Sequence, residues 1–134
     1  MAETYYLTAD DVLALVEWIF PRVLGFQPPT LRAHGRELLE SGIARAENMA
    51  YYDDADLISQ AAALTNGIAL NHPFVDGNKR AAWTACIEFL ELNGHPLDAD
   101  SYYGLAEQLI AQHVNTDRSS ADATLAAWLR AHIT

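Results

Sequence analysis

Apolar residues recur at helical spacing along this chain, in blocks separated by clear stop signals. Val12, Leu13, Leu15, Val16, Ile19 and Phe20 follow a helical period. Thr8, with Asp11 three positions later, supplies an N-cap signal in front of them, and Pro21 is expected to end the element. Pro28-Pro29-Thr30 breaks the chain, after which 31–41 is predicted to form a second helix with Leu38 and Leu39 inward and Gly42 near its end. Residues 47–56 hold Tyr51, Tyr52 and several aspartates without helical period, which predicts an exposed loop or short hairpin. Helices follow over 57–71 and 78–93. The second is apolar nearly all round, through Ala81, Ala82, Trp83, Ala85, Ile87, Phe89 and Leu92, as a central buried helix would be. Asn93-Gly94 is its stop signal. Two more helices are expected at 101–113 and 120–132, the latter with Leu125, Trp128 and Leu129 at helical spacing. The pattern is that of an all-α protein, a compact bundle around a central buried helix, with 1–134 forming one domain.

Between the two most apolar stretches lies His72-Pro73-Phe74-Val75-Asp76-Gly77-Asn78-Lys79-Arg80, which gathers an imidazole, a carboxylate, a glycine, an amide and two cations. Proline disfavours the α conformation in the residue before it, so the arriving helix should end near Asn71 or His72 and leave His72 at a helix exit. Asp76-Gly77 gives a turn in which glycine takes positive φ at little cost and the backbone can approach a ligand. The next helix should start at about Gly77 or Asn78. Lys79 and Arg80 then fall in its first turn, where unpaired N–H groups and the macrodipole are already positive. Each cation there costs roughly 0.3–1 kcal/mol at low salt unless an anion occupies the site. A phosphate is the simplest such anion.

A histidine side chain exchanges its proton close to neutral pH, so His72 suits a general base acting on an alcohol. Asp76 suits a ligand for Mg²⁺, which bridges a carboxylate to nucleotide phosphates. Taken singly, these residues have plainer readings: a helix C-cap, an ordinary turn and solvated surface charges. Their assembly in consecutive positions is what points to a phosphate-binding active site.

The formal charge of −10 argues against nonspecific nucleic-acid binding, which draws much of its affinity from neutralised phosphates. It also makes the adjacent Lys79 and Arg80 conspicuous. Cys86 is the only cysteine, so an intrachain disulfide is excluded, and its apolar helical neighbours predict a buried structural thiol. His34, His95, His113 and His132 lack metal-ligand spacing and are read as structural or surface residues. No apolar run reaches the ~18 residues expected of a membrane span, and Met1-Ala2-Glu3-Thr4 lacks a signal peptide's basic start. A soluble cytoplasmic protein with no membrane partner is expected.

The segment from His72 to Arg80 resembles the signature loop of the Fic/Doc superfamily, roughly His-Pro-Phe-x-(Asp/Glu)-Gly-Asn-(Gly/Lys)-Arg. With Lys79 at the variable position it is similar to the Doc, or "death on curing", toxin branch. Tyr6-Leu7-Thr8, the stretch from Leu38 to Arg45, that from Ala61 to Leu70, Phe89 to Gly94, and Trp128-Leu129-Arg130 extend the likeness over most of the chain. Arg32-Ala33-His34 and Arg45-Ala46 depart from it, where Doc-like chains often carry Arg-Asp and Arg-Pro.

The resemblance implies an all-helical domain that transfers part of a nucleotide onto a protein hydroxyl. Most Fic enzymes transfer AMP from ATP, whereas Doc is a kinase that places the γ-phosphate on a threonine of translation elongation factor Tu and stops protein synthesis. AMP-transferring members usually have glycine at the Lys79 position and a second arginine at the Trp83 position, so both departures favour the kinase-like branch. By the same resemblance, His72 matches the base, Asp76 the Mg²⁺ ligand, Gly77 and Asn78 the anion-binding turn, and Lys79 and Arg80 the ATP phosphate contacts. Phe74 matches the residue that anchors the loop in the core. Residues 47–56 match a flap that holds the target peptide, which makes Tyr51 and Tyr52 candidate target contacts or, equally, aromatic residues closing over the core. A separate antitoxin protein is implied as the restraint, since the inhibitory pattern (Ser/Thr)-x-x-x-Glu-(Gly/Asn) is missing: Glu47-Asn48 has Ile43 at the hydroxyl position. The alternatives are a Fic-type AMP transferase and a catalytically silent interaction domain.

Overall fold

Thr8 opens the first helix by a reciprocal cap. In the computed structural model, which describes residues 3–97, 110 and 117–133, the Asp11 N–H donates to the Thr8 hydroxyl (3.1 Å) and the Thr8 N–H to the Asp11 carboxylate (2.9 Å). This starts α1 (Ala9–Ile19), which buries Ala9, Val12 and Val16. Pro21 does not end the helical path as expected. The chain rewinds into a π-helical turn (Phe20–Leu24) that runs on directly from α1 with Pro21 at its second position, and closes at Gly25 with φ 75°.

The second helix departs most from its expectation. Its first four predicted residues are not helical, because Leu31 instead forms an isolated antiparallel bridge with Phe74. α2 spans Gly35–Asp53, running through Gly42 and on past the predicted end. Its buried stripe of Gly35, Leu39, Gly42, Ile43 and Ala46 has helical spacing but is made largely of small residues, so it reads weakly in sequence. Residues 47–53, expected in a loop or hairpin, are the exposed last turns of this helix; only the short turn from Asp54 (φ 52°) to Asp56 separates it from the next.

α3 (Leu57–Asn71) is capped by the Asp56 carboxylate, which accepts the Ser59 N–H at 2.8 Å. It is buried without a break from Gln60 to Ala69 and packs against α2 and against the two helices that follow it, Asn78–Leu92 and Arg118–His132. α4 (Asn78–Leu92) is buried from Ala81 to Cys86 and at Phe89 and Leu90, and stops at Asn93-Gly94 as predicted. These two helices form the centre, α3 the more completely enclosed. α5 (Arg118–His132) starts two residues earlier than predicted, on an Asp117 cap. The helix expected at 101–113 lies outside the described residues except for Ile110, which is helical and buried.

The core carries a polar knot that composition did not announce. Arg45 on α2 donates to the Ala63 carbonyl (2.8 Å) and to Asp122 on α5 (2.6 Å), and Asn66 on α3 donates to the same carboxylate (2.9 Å). Three helices are thereby fixed to one buried acid. Cys86 is buried, and burial pushes its thiol up to about 12, which makes it a packing residue and no nucleophile. Among the described residues there is no β-strand beyond isolated bridges, and no helix is long and apolar enough to cross a membrane.

Candidate active site

The signature loop joins α3 to α4 and is held from three sides. Asn71, the last residue of α3, donates to the Leu38 carbonyl on α2 (3.0 Å) and accepts from Arg118 on α5 (2.8 Å). His72 follows in the left-handed conformation (φ 52°, ψ 58°), with its side chain exposed at the helix exit. Next, the backbone dives inward. Pro73 is buried and Phe74 is 1% exposed, as an anchor should be.

Main-chain pairing fixes this stretch to the segment before α2. Arg32 donates its N–H to the Pro73 carbonyl (3.1 Å), and Val75 donates its own to the Thr30 carbonyl (2.8 Å). Gly35 permits the approach, since a Cβ there would meet the Pro73 oxygen at 2.3 Å. The Asn78 amide closes the loop from within: its oxygen accepts the Phe74 N–H (2.8 Å) and its nitrogen donates to the Phe74 carbonyl (2.9 Å). Gly77 adopts φ 80°, and its N–H is accepted by the Asp76 carboxylate at 2.8 Å.

α4 then begins with no side-chain cap. Its first intrahelical bond runs from the Ala81 N–H to the Gly77 carbonyl (2.9 Å), so the N–H groups of Asn78, Lys79 and Arg80 head the helix outside its bonding ladder, the arrangement in which a helix N-terminus can accept an anion. Beside it lies a groove of about 520 Å³ whose walls include Asp76, Gly77 and Arg80, together with Phe20, Phe26 and the stretch 27–30. Three of the residues singled out from sequence are thus brought to one cavity. The other three are placed differently: His72 is exposed at the end of α3, Lys79 is exposed in the first turn of α4, and the Asn78 side chain is spent on Phe74, leaving only its N–H to face an anion.

Asp76 is exposed on the groove wall, with one carboxylate oxygen taken by Gly77. Among the described residues, no three His, Cys, Asp or Glu side chains cluster as a metal cage. A cation here would rest on one carboxylate and on oxygens of a bound ligand, which is how Mg²⁺ is held beside nucleotide phosphates. The donor set therefore fits that ion.

Tyr51 and Tyr52 pack edge to face at 4.8 Å on the outer end of α2 and are both strongly exposed; neither lines the groove. They do not close over the core. The groove's far wall instead comes from Phe20, at the expected helix end, from Pro28 and Pro29, at the expected chain break, and from Phe26, which carries no expectation from sequence. The stretch from Phe20 to Thr30, eleven residues with three prolines and two aromatics, was the available signal. Trp83, at the position of a second arginine in AMP-transferring proteins, is fully buried and packs edge to face on Trp128 (5.3 Å).

The Fic/DOC family model matches residues 6–90. A curated relative from Mycolicibacterium smegmatis (strain ATCC 700084 / mc(2)155), named Toxin Doc, is 39% identical over 116 residues, covering 85% of this chain and 84% of its own length. Both matches include the loop whose architecture has just been described, and on them the chain belongs to the Fic/DOC family.

Proposed function

We propose that this protein is the toxin of a toxin–antitoxin pair, acting in the cytoplasm as a Doc-like kinase. It would move the γ-phosphate of ATP to a serine or threonine hydroxyl of a translation factor, such as elongation factor Tu, and so inhibit translation. The observation that carries the reading is the uncapped start of α4, with Gly77 in the left-handed conformation and Asp76 and Arg80 on the wall of the adjoining groove. A relative named Toxin Doc supports the toxin assignment and, with it, a separate antitoxin as partner.

In this reading the target hydroxyl oxygen attacks the γ-phosphorus while the bond from that phosphorus to the ADP oxygen breaks. His72 takes the hydroxyl proton. Its exposed position at the end of α3 leaves it accessible to a hydroxyl on another protein. The N–H groups at the head of α4, with Arg80 and Lys79, neutralise phosphate charge and hold the transferring group in line, which is where most of the rate enhancement of phosphoryl transfer arises. Bound Mg²⁺ would add charge neutralisation across the phosphates, with Asp76 as its protein ligand.

Transfer of AMP by the same loop is the competing chemistry. Burial of Trp83 weighs against it, since the position of the second arginine points into the core. The experiment incubates the purified protein with a bacterial lysate and ATP labelled at either the γ- or the α-phosphorus. Label from the γ position on a protein, absent with His72→Ala, is the expected result. α-label would establish AMP transfer instead, and neither label, with toxicity intact in His72→Ala, would establish action by binding alone.

A further inference from the structure

One contact in the groove is not part of the signature loop. The Arg80 guanidinium lies over the ring of Phe26, its carbon 4.0 Å from the ring centroid. Phe26 is 47% exposed, so core packing does not account for a phenylalanine there. Its backbone is fixed, because the N–H groups of both Gly25 and Phe26 converge on the Phe20 carbonyl (3.0 Å from Phe26). Phe20 is in turn buried beneath Gly77: a Cβ on that glycine would meet the Phe20 ring at 3.1 Å. The π turn, the anion-binding turn and the arginine are therefore tied in one circuit.

Arg80 sits in the first turn of α4, where the macrodipole disfavours a cation. A ring face carries the opposite electrostatic sign and attracts the guanidinium. Stacking uses the guanidinium face, whereas phosphate is taken by the N–H donors in its plane, so both can be engaged together. The geometry points to Phe26 as a positioning residue that holds Arg80 on the groove side before a ligand arrives, sparing the ordering cost when phosphate binds. This rests on reading the groove as a nucleotide phosphate site.

The test uses the full chain in a His72→Ala background, to permit expression, and measures binding of Mg²⁺–ATP and of tripolyphosphate by calorimetry. Phe26→Leu should weaken both by about two- to fivefold, the scale of an exposed cation–π contact. Phe26→Tyr should retain affinity. Arg80→Ala should cost more, and adding Phe26→Leu to it should cost nothing further. In NMR spectra, the Arg80 Nε–H proton should be shifted upfield by the ring and lose that shift in Phe26→Leu. An unmoved Arg80 signal, or the same affinity loss with and without Arg80, overturns the inference while leaving the nucleotide site standing. Failure of the parent protein to bind either probe would remove that site and this inference together.

Discussion

Gly42 and Gly67 meet backbone to backbone where α2 crosses α3. A Cβ on Gly67 would lie 2.6 Å from the Gly42 carbonyl oxygen, and one on Gly42 would lie 2.8 Å from the Gly67 carbonyl carbon. Neither obstruction is a flexible side chain, so the helices themselves would have to separate. Gly67→Ala should destabilise the fold by about 1–3 kcal/mol, the usual cost of overpacking, despite alanine's better helix propensity. Urea unfolding checks this; an unchanged midpoint would show that the crossing is looser than its geometry.

Asp56 caps α3 and also takes Arg130 from α5 at 2.8 Å. The Ser59 N–H, with help from Arg130, holds its carboxyl below the ordinary carboxylate range. A folded pKa below the unfolded one gives stability that is present above the unfolded value and lost as pH falls through the folded value. Asp56→Ala should cost about 1 kcal/mol near neutrality, mainly through the lost cap, because an exposed ion pair adds little. The gap between wild type and variant should narrow as pH falls through the acid range. A gap that is constant with pH would mean that the charged form of Asp56 contributes nothing.

Arg45 and Asp122 are 77 positions apart in sequence but share a largely buried ion pair with Asn66. Removing the cation leaves the carboxylate inside the fold with only the Asn66 amide. Arg45→Met should therefore destabilise by about 3–5 kcal/mol, the cost of an uncompensated buried charge, although methionine fills much of the space. The double variant Arg45→Met with Asp122→Leu should recover part of the loss in a thermal melt. No recovery would mean that the geometry, rather than the charge, is what the three helices need.

What could be read in sequence follows from how far apart the deciding residues lie. The signature loop was legible because its chemistry is contiguous, and α1, α3, α4 and the end of α5 because caps and large apolar residues mark them. α2 was not, since its inner face is built from Gly42, Ile43 and Ala46, and a glycine that permits a helix crossing looks the same as one that ends a helix. Residues 47–53 read as a loop because their outward turns bury little. The groove's far wall, the Leu31–Phe74 bridge and the Arg45–Asp122 pair all join distant segments, which no local pattern records.

His72 occupies a left-handed conformation that costs an L-residue roughly 1–2 kcal/mol, at a helix end where glycine is the usual choice. On the proposed chemistry, the strain is tolerated because the imidazole is needed there. His72→Gly should therefore raise stability by up to about 1 kcal/mol while abolishing transfer, and His72→Ala should abolish transfer with the fold preserved. Circular dichroism melts read the first effect and phosphate transfer the second. Transfer retained in His72→Gly would remove the imidazole from the chemistry.

Trp83 offers a test of the proposed choice of kinase chemistry over AMP transfer. Were the missing arginine the only obstacle, Trp83→Arg would install AMP transfer. Yet the site is fully buried against Trp128, with the Trp83 indole N–H left without a hydrogen-bond partner among the described residues. Truncating a buried tryptophan costs about 3–5 kcal/mol, and an unpaired charge adds to that, against a total stability of about 5–15 kcal/mol. Trp83→Arg should thus unfold or become insoluble and should not transfer α-label. Trp83→Phe, which loses volume but keeps an apolar ring against Trp128, should stay folded and keep the proposed transfer activity. A folded Trp83→Arg protein that transfers AMP would show that this turn of α4 can present its side chain to the groove, and the burial argument for kinase chemistry would fail with it.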